Sequence, residues 1–182
     1  MGIARHLKSG RIRINTLEKQ IEISESGIIL PYSGISDSDW GQVYEKYVGQ
    51  VFEDEGYKVE YNGLEKGFLD RGIDLIARKN ESLNFIQCKY VHQAISKSKM
   101  EWILYKASSL LYSIYRKEKK KLSFTLVVSS KEKCFSKQFP KGMRFNFTEH
   151  SKIEYPILQY FLDHNYTQDK VKLEFREILM TR

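Results

Sequence analysis

The stretch from Leu69 to Tyr90 (LDRGIDLIARKNESLNFIQCKY) constrains this chain more than any other. Its apolar residues alternate with period 2 on either side of a polar break at Asn80-Glu81-Ser82, the pattern of two short strands joined by a tight turn. A loop of two residues at Asn80-Glu81, or of four from Lys79 to Ser82, pairs these strands antiparallel with position 74 opposite position 87. Asp74 and Gln87 then become cross-strand neighbours, and Lys89 lies one step further along the face that also carries Phe85. Ile86, Cys88 and Tyr90 take the other face. An acid, an amide and an ammonium gathered on a hairpin otherwise built for burial is a costly arrangement that points to a site. The plainer alternative is a partly buried Asp74–Lys89 ion pair, which contributes little net stability.

The elements around the hairpin indicate an α/β domain with a mixed sheet. Ser36-Asp37-Ser38-Asp39 offers N-cap residues, and Trp40, Val43, Tyr44, Tyr47, Val48, Val51 and Phe52 recur at helical spacing until Gly56. Glu45 sits beside that apolar stripe, about 100° round from Tyr44, where it can reach a neighbouring site. Tyr57 to Tyr61 reads as a strand, followed by a Gly-containing loop, so three consecutive strands form a meander with the hairpin. A second helix is expected over 97–117, with Trp102, Ile103, Lys106, Leu110, Leu111, Ile114 and Tyr115 along its stripe. It supplies the crossover for the near-continuous apolar strand LSFTLVVSS, which reads as buried on both faces.

Residues 1–36 are expected to form an N-terminal arm or small hairpin, residues 37–130 the core, and residues 131–182 a mostly helical extension packed on it. Helices are expected near Ile153–His164 and Gln168–Met180. A length of 182 residues suits one domain with an appendage. The formal charge of +7 favours an anionic partner, with nucleic acid the first candidate. No apolar run is long enough for a membrane span and MGIARHLKSG lacks a signal-peptide core, so a cytoplasmic protein is expected. Two cysteines, Cys88 and Cys134, indicate neither a zinc site nor a disulfide framework. Trp40, Trp102 and the tyrosines are read as core packing, and His92 as a surface residue.

Phosphodiester hydrolysis calls for a divalent ion that neutralises the scissile phosphate and activates water, together with a cation that steadies developing charge. Asp74, the Gln87 side-chain oxygen and the backbone carbonyl of Cys88 are oxygen ligands of the hard kind that suits magnesium, with manganese as a substitute. Glu45 joins through an intervening water, and Lys89 orients the nucleophile.

Glu45 on the first helix, then Asp70-Arg71-Gly72-Ile73-Asp74 and Gln87-Cys88-Lys89 ahead of a helix and a buried strand, resembles the PD-(D/E)xK nuclease superfamily. Within it, the pattern is similar to the Mrr-like restriction endonucleases, which carry Gly-Asp-x-Gly-Ile-Asp and then Gln-Cys-Lys; here Leu69 replaces the first glycine. The likeness covers about residues 37–130. It implies a restriction-endonuclease-like αβββαβ core, DNA as substrate and magnesium as cofactor. It also implies metal-ligand roles for Asp74 and Gln87, the catalytic lysine role for Lys89 and an accessory acidic role for Glu45. The expected activity is a metal-dependent endonuclease of restriction, repair or recombination. A junction-resolving enzyme, which works as a homodimer because two strands are cut, and a non-catalytic DNA-binding module with the same fold are the alternatives.

Overall fold

The structure is a computed structural model that describes residues 2–67, 72–92, 94–96, 121–134 and 171–182, with single positions at 99, 102, 106, 107 and 111. A short helix α1 (Ala4–Leu7) precedes a three-stranded antiparallel sheet of β1 (Ile12–Asn15), β2 (Gln20–Ile23) and β3 (Ile28–Pro31). In place of the expected arm or small hairpin, these residues form three strands, the third from Ile28–Pro31. Helix α2 (Asp37–Asp54) leads into β4 (Lys58–Glu60), α3 (Asn62–Lys66), β5 (Leu75–Lys79) and β6 (Ser82–Lys89). After β7 (Lys121–Val128) come α4 (Lys131–Cys134) and β8 (Val171–Glu177).

The second sheet is mixed, in the order β4-β5-β6-β7-β8. Its first three strands form the expected antiparallel meander, whereas β6, β7 and β8 run parallel. A parallel β6–β7 pair needs a crossover. The described positions 99, 102, 106, 107 and 111 of the expected 97–117 helix are helical, and the rest of that helix lies outside the described residues.

Both ends of α2 follow from local sequence. Ser36 accepts the Asp39 N–H at 3.2 Å while Asp39 accepts the Ser36 N–H at 3.3 Å, a reciprocal capping box. At the other end Gly56 adopts φ +87°, so that Tyr57 donates to Phe52 O at 3.0 Å and Gly56 to Glu53 O at 2.9 Å. This is a Schellman closure, and the Phe52 and Tyr57 rings supply its apolar contact at 5.5 Å. The buried face of α2 (Trp40, Val43, Tyr44, Val48, Phe52) packs on Leu75, Ala77, Ile86 and Cys88 of the sheet, and on Ile12, Ile21 and Ile23 of the N-terminal sheet. Each large apolar side chain buried there stabilises the fold by roughly 1.5–3 kcal/mol.

Gln50 ties the N-terminal sheet to α2. Its buried amide accepts the Ile12 N–H at 2.6 Å and donates to Ile12 O at 2.9 Å, as a neighbouring strand would.

Two expectations are corrected. Residues 171–177 form a strand within the region expected to hold the Gln168–Met180 helix. Val171, Leu173 and Phe175 alternate with Lys172, Glu174 and Arg176, a period of 2 that suits the open edge of β7. Trp102, expected in the core, is 57% exposed because the buried side of its helix runs through Ala107 and Leu111. Five residues separate Trp102 from Ala107, about 140° of rotation. The Ile153–His164 helix falls outside the described residues. No helix among the described residues is long and apolar enough to cross a membrane.

Candidate active site

Residues Lys79 and Ser82 pair across a two-residue turn at Asn80-Glu81, with Asn80 at φ +54°. Counting back through Leu75↔Ile86, this register sets Asp74 opposite Gln87, as the alternation implies. Both side chains are 3% exposed. Asp74 Oδ2 accepts the backbone N–H of Cys88 at 2.6 Å and an amide N–H of Gln87. Burial of a carboxylate is tolerable here because it is met by two donors.

The backbone that carries Asp74 is fastened independently of its side chain. Asp74 N–H donates to Ile86 O at 2.9 Å, Gly63 N–H donates to Asp74 O at 2.8 Å, and the Asn62 amide donates to Ile73 O at 2.6 Å. The last two contacts come from α3, in a segment that reads as a loop in the sequence. Asn-Gly is a turn signal, and only the folded backbone reveals that it grips residues 73–74.

Glu45, half-buried on α2, extends its carboxylate over the Cα of Gly63, beside Asp74. The Cys88 thiol lies among the same charges. Burial pushes it well above the usual thiol range, with Asp74 and Glu45 acting in the same direction and Lys89 opposing them. Glu45 thus lies beside the backbone of Asp74, and Lys89 directly follows Cys88 at the end of β6. Lys89 is half-buried at the end of that strand, and its backbone carbonyl accepts the Ser129 N–H at 3.1 Å.

Gln87 turns its NH2 group toward Asp74, with a second contact to Cys88 O at 3.4 Å. Its Oε1 faces Gly72, where an added methyl would lie 3.4 Å from that oxygen and 3.5 Å from Lys106 Cβ. Gly72 holds φ +77°, and Lys106 was legible in the sequence only as a helix residue. Half a turn of the carboxamide exchanges its oxygen and nitrogen with little steric change.

Among the described residues no three His, Cys, Asp or Glu side chains cluster as a metal site. The oxygens at hand are the carboxylates of Asp74 and Glu45, the Cys88 carbonyl and, after rotation, the Gln87 carboxamide oxygen. An all-oxygen set with two carboxylates fits a hard divalent ion. Close by, Tyr90 packs on Trp40 at 6.4 Å, on Tyr44 at 5.5 Å and on His92 at 4.6 Å, forming an aromatic wall at the end of β6. His92 is exposed, as expected.

Residues 37–105 match the family model for restriction endonucleases of the Mrr type. No curated protein matches the chain, and no solved structure does. Helix α2 with Glu45, the meander with Asp74 and the Gln87-Cys88-Lys89 strand thus all lie within the segment, residues 37–105, that is similar to the Mrr-type restriction endonuclease model.

Proposed function

We propose that this chain is a DNA endonuclease that hydrolyses phosphodiester bonds with a divalent ion, magnesium in preference and manganese as substitute. The observation that carries the reading is the buried Asp74 carboxylate bonded to Gln87 and to the Cys88 N–H, with the Glu45 carboxylate beside its backbone, in a segment similar to restriction endonucleases. Asp74, Gln87 and the Cys88 carbonyl would hold the ion, with Glu45 completing the set through a water. When bound, the ion neutralises phosphate charge and lowers the pKa of water. Lys89 orients the attacking water and steadies the charge that develops on the phosphate oxygens. The +7 charge supports a polyanionic substrate. Cutting both strands of a duplex would require two sites, which suits a homodimer.

The test is incubation with plasmid, branched DNA and RNA, each with magnesium, manganese or chelator. Metal-dependent cleavage of DNA is expected, and it should be lost in both Asp74→Ala and Lys89→Ala. Preference for branched over plasmid DNA would identify a junction-resolving enzyme. No metal-dependent cleavage of any substrate would sink the proposal. One observation favours the rival, a non-catalytic DNA-binding module: Gln87 stands where an acid would bind metal more strongly, and it donates to Asp74. That reading requires salt-sensitive DNA affinity without turnover.

A further inference from the structure

Gly63 occupies the second position of α3 without any backbone reason to be glycine. It is helical, and its φ is not in the left-handed region. Alanine at such a position would favour the helix by about 1 kcal/mol. The reason lies in the space above its Cα. A methyl group there would stand 2.6 Å from Glu45 Oε2, 3.3 Å from Glu45 Cδ and 3.3 Å from Asp74 Cα. The first contact forces one of the two groups aside, whereas a shift of a few tenths of an ångström relieves the backbone one. Because Oε2 is the far end of a flexible side chain, the Glu45 carboxylate would yield and the backbone would stay.

We infer that Gly63 is a positioning residue of the candidate site, the opening through which Glu45 on α2 brings its carboxylate against Asp74. Two neighbouring contacts make the opening durable. Asn62, 2% exposed, fastens Ile73 O, and the Gly63 N–H fastens Asp74 O, so two hydrogen bonds hold α3 against the backbone that bears Asp74. The Asn62-Gly63 step thereby lies against both the Glu45 carboxylate and the backbone of Asp74. A side chain at position 63 would leave Asp74 bonded to Cys88 and Gln87 while excluding Glu45, dividing the oxygen set in two.

The inference rests on the proposed metal-dependent nuclease, and its test separates the two. Mn2+ alone is titrated into the parent chain, Gly63→Ala, Glu45→Gln and the double variant, with binding read by the electron paramagnetic resonance of free manganese. Gly63→Ala is expected to bind manganese about tenfold or more weakly, in the range for residues that orient metal ligands. The double variant should bind no more weakly than Glu45→Gln, since both changes remove the same carboxylate. Urea unfolding in chelator adds a metal-free measurement: Glu45→Ala should restore stability to Gly63→Ala by vacating the space its methyl needs.

Parent-like manganese affinity in Gly63→Ala overturns the inference alone, as does a double variant weakened by the product of the single effects. Should Gly63→Ala fail to fold and Glu45→Ala fail to rescue it, the obstacle is the Asp74 backbone and the inference is wrong. A parent chain that takes up no manganese defeats the nuclease proposal, and this inference with it.

Discussion

Replacing Gln50 with leucine tests how the N-terminal sheet is held to the core. Leucine keeps most of the buried volume but removes the acceptor for Ile12 N–H, 2.6 Å away, and the donor to Ile12 O, 2.9 Å away. β2 pairs with β1 along its other edge, so no further strand stands ready to replace the amide. A buried polar group left without a partner costs about 1–3 kcal/mol. With two such groups, and some relief from local opening, Gln50→Leu should lose about 3 kcal/mol. At this chain length that corresponds to roughly 6–12 °C in Tm. Urea unfolding followed by circular dichroism measures the loss, and amide hydrogen exchange at Ile12, Ile21 and Ile23 locates it. Gln50→Glu refines the argument: a protonated acid can donate to Ile12 O, and a carboxylate cannot. That variant should approach the parent at acid pH and fall below it as the acid ionises. A Gln50→Leu chain within about 0.5 kcal/mol of the parent would refute the reasoning, since even one unpaired group costs more.

Four further outcomes follow from the same geometry. Gly56→Ala forces a side chain into φ +87° at the end of α2 and should destabilise the chain by about 1 kcal/mol, measured by urea midpoint. Cys88 is buried and its thiol is pushed well above the usual range, so it should resist alkylation at neutral pH and react only on unfolding, read by mass spectrometry. Because burial raises the Cys88 thiol and pushes Cys134 up to about 11, the unfolded chain ionises first; stability should be fully present below about pH 9 and decline as pH rises, a slope that Cys88→Ala reduces. Inserting one residue between Asn80 and Glu81 by slipping β6 one position should remove Gln87 from its place opposite Asp74 and abolish cleavage, whereas a parent-like rate would refute the register argument.

What the sequence discloses here is whatever has a strong period or a tight local turn. The Asp74–Gln87 pairing could be counted across Asn80-Glu81, and α2 announced itself through the Ser36 cap, its apolar stripe and Gly56. β8 reads as helix in the sequence because its Leu, Phe, Glu, Arg and Lys also suit an amphipathic helix, and the open edge of β7 decides the matter only once the sheet exists. Trp102 reads as a core residue because a stripe of mixed aromatic and aliphatic residues does not say which flank is buried, and the structure exposes it. The grip of Asn62 and Gly63 on residues 73–74 leaves no periodic trace at all. It depends on two backbone segments 11 residues apart meeting in space, and Asn-Gly reads equally well as an ordinary turn.

The two-residue turn at Asn80-Glu81 has a consequence for the order in which the site assembles. Asp74 and Gln87 lie 13 residues apart and meet when a single hairpin zips, an event of about 1–10 μs. β7 and β8 are joined by a far longer excursion, from Val128 to Val171, and pay a larger loop-closure entropy before they pair. Half of the site can thus form from one hairpin, while Glu45 joins it only through the packing of α2 on β5 and β6. The acid–amide pair is a product of chain connectivity, and the second carboxylate reports that the tertiary structure has closed around it.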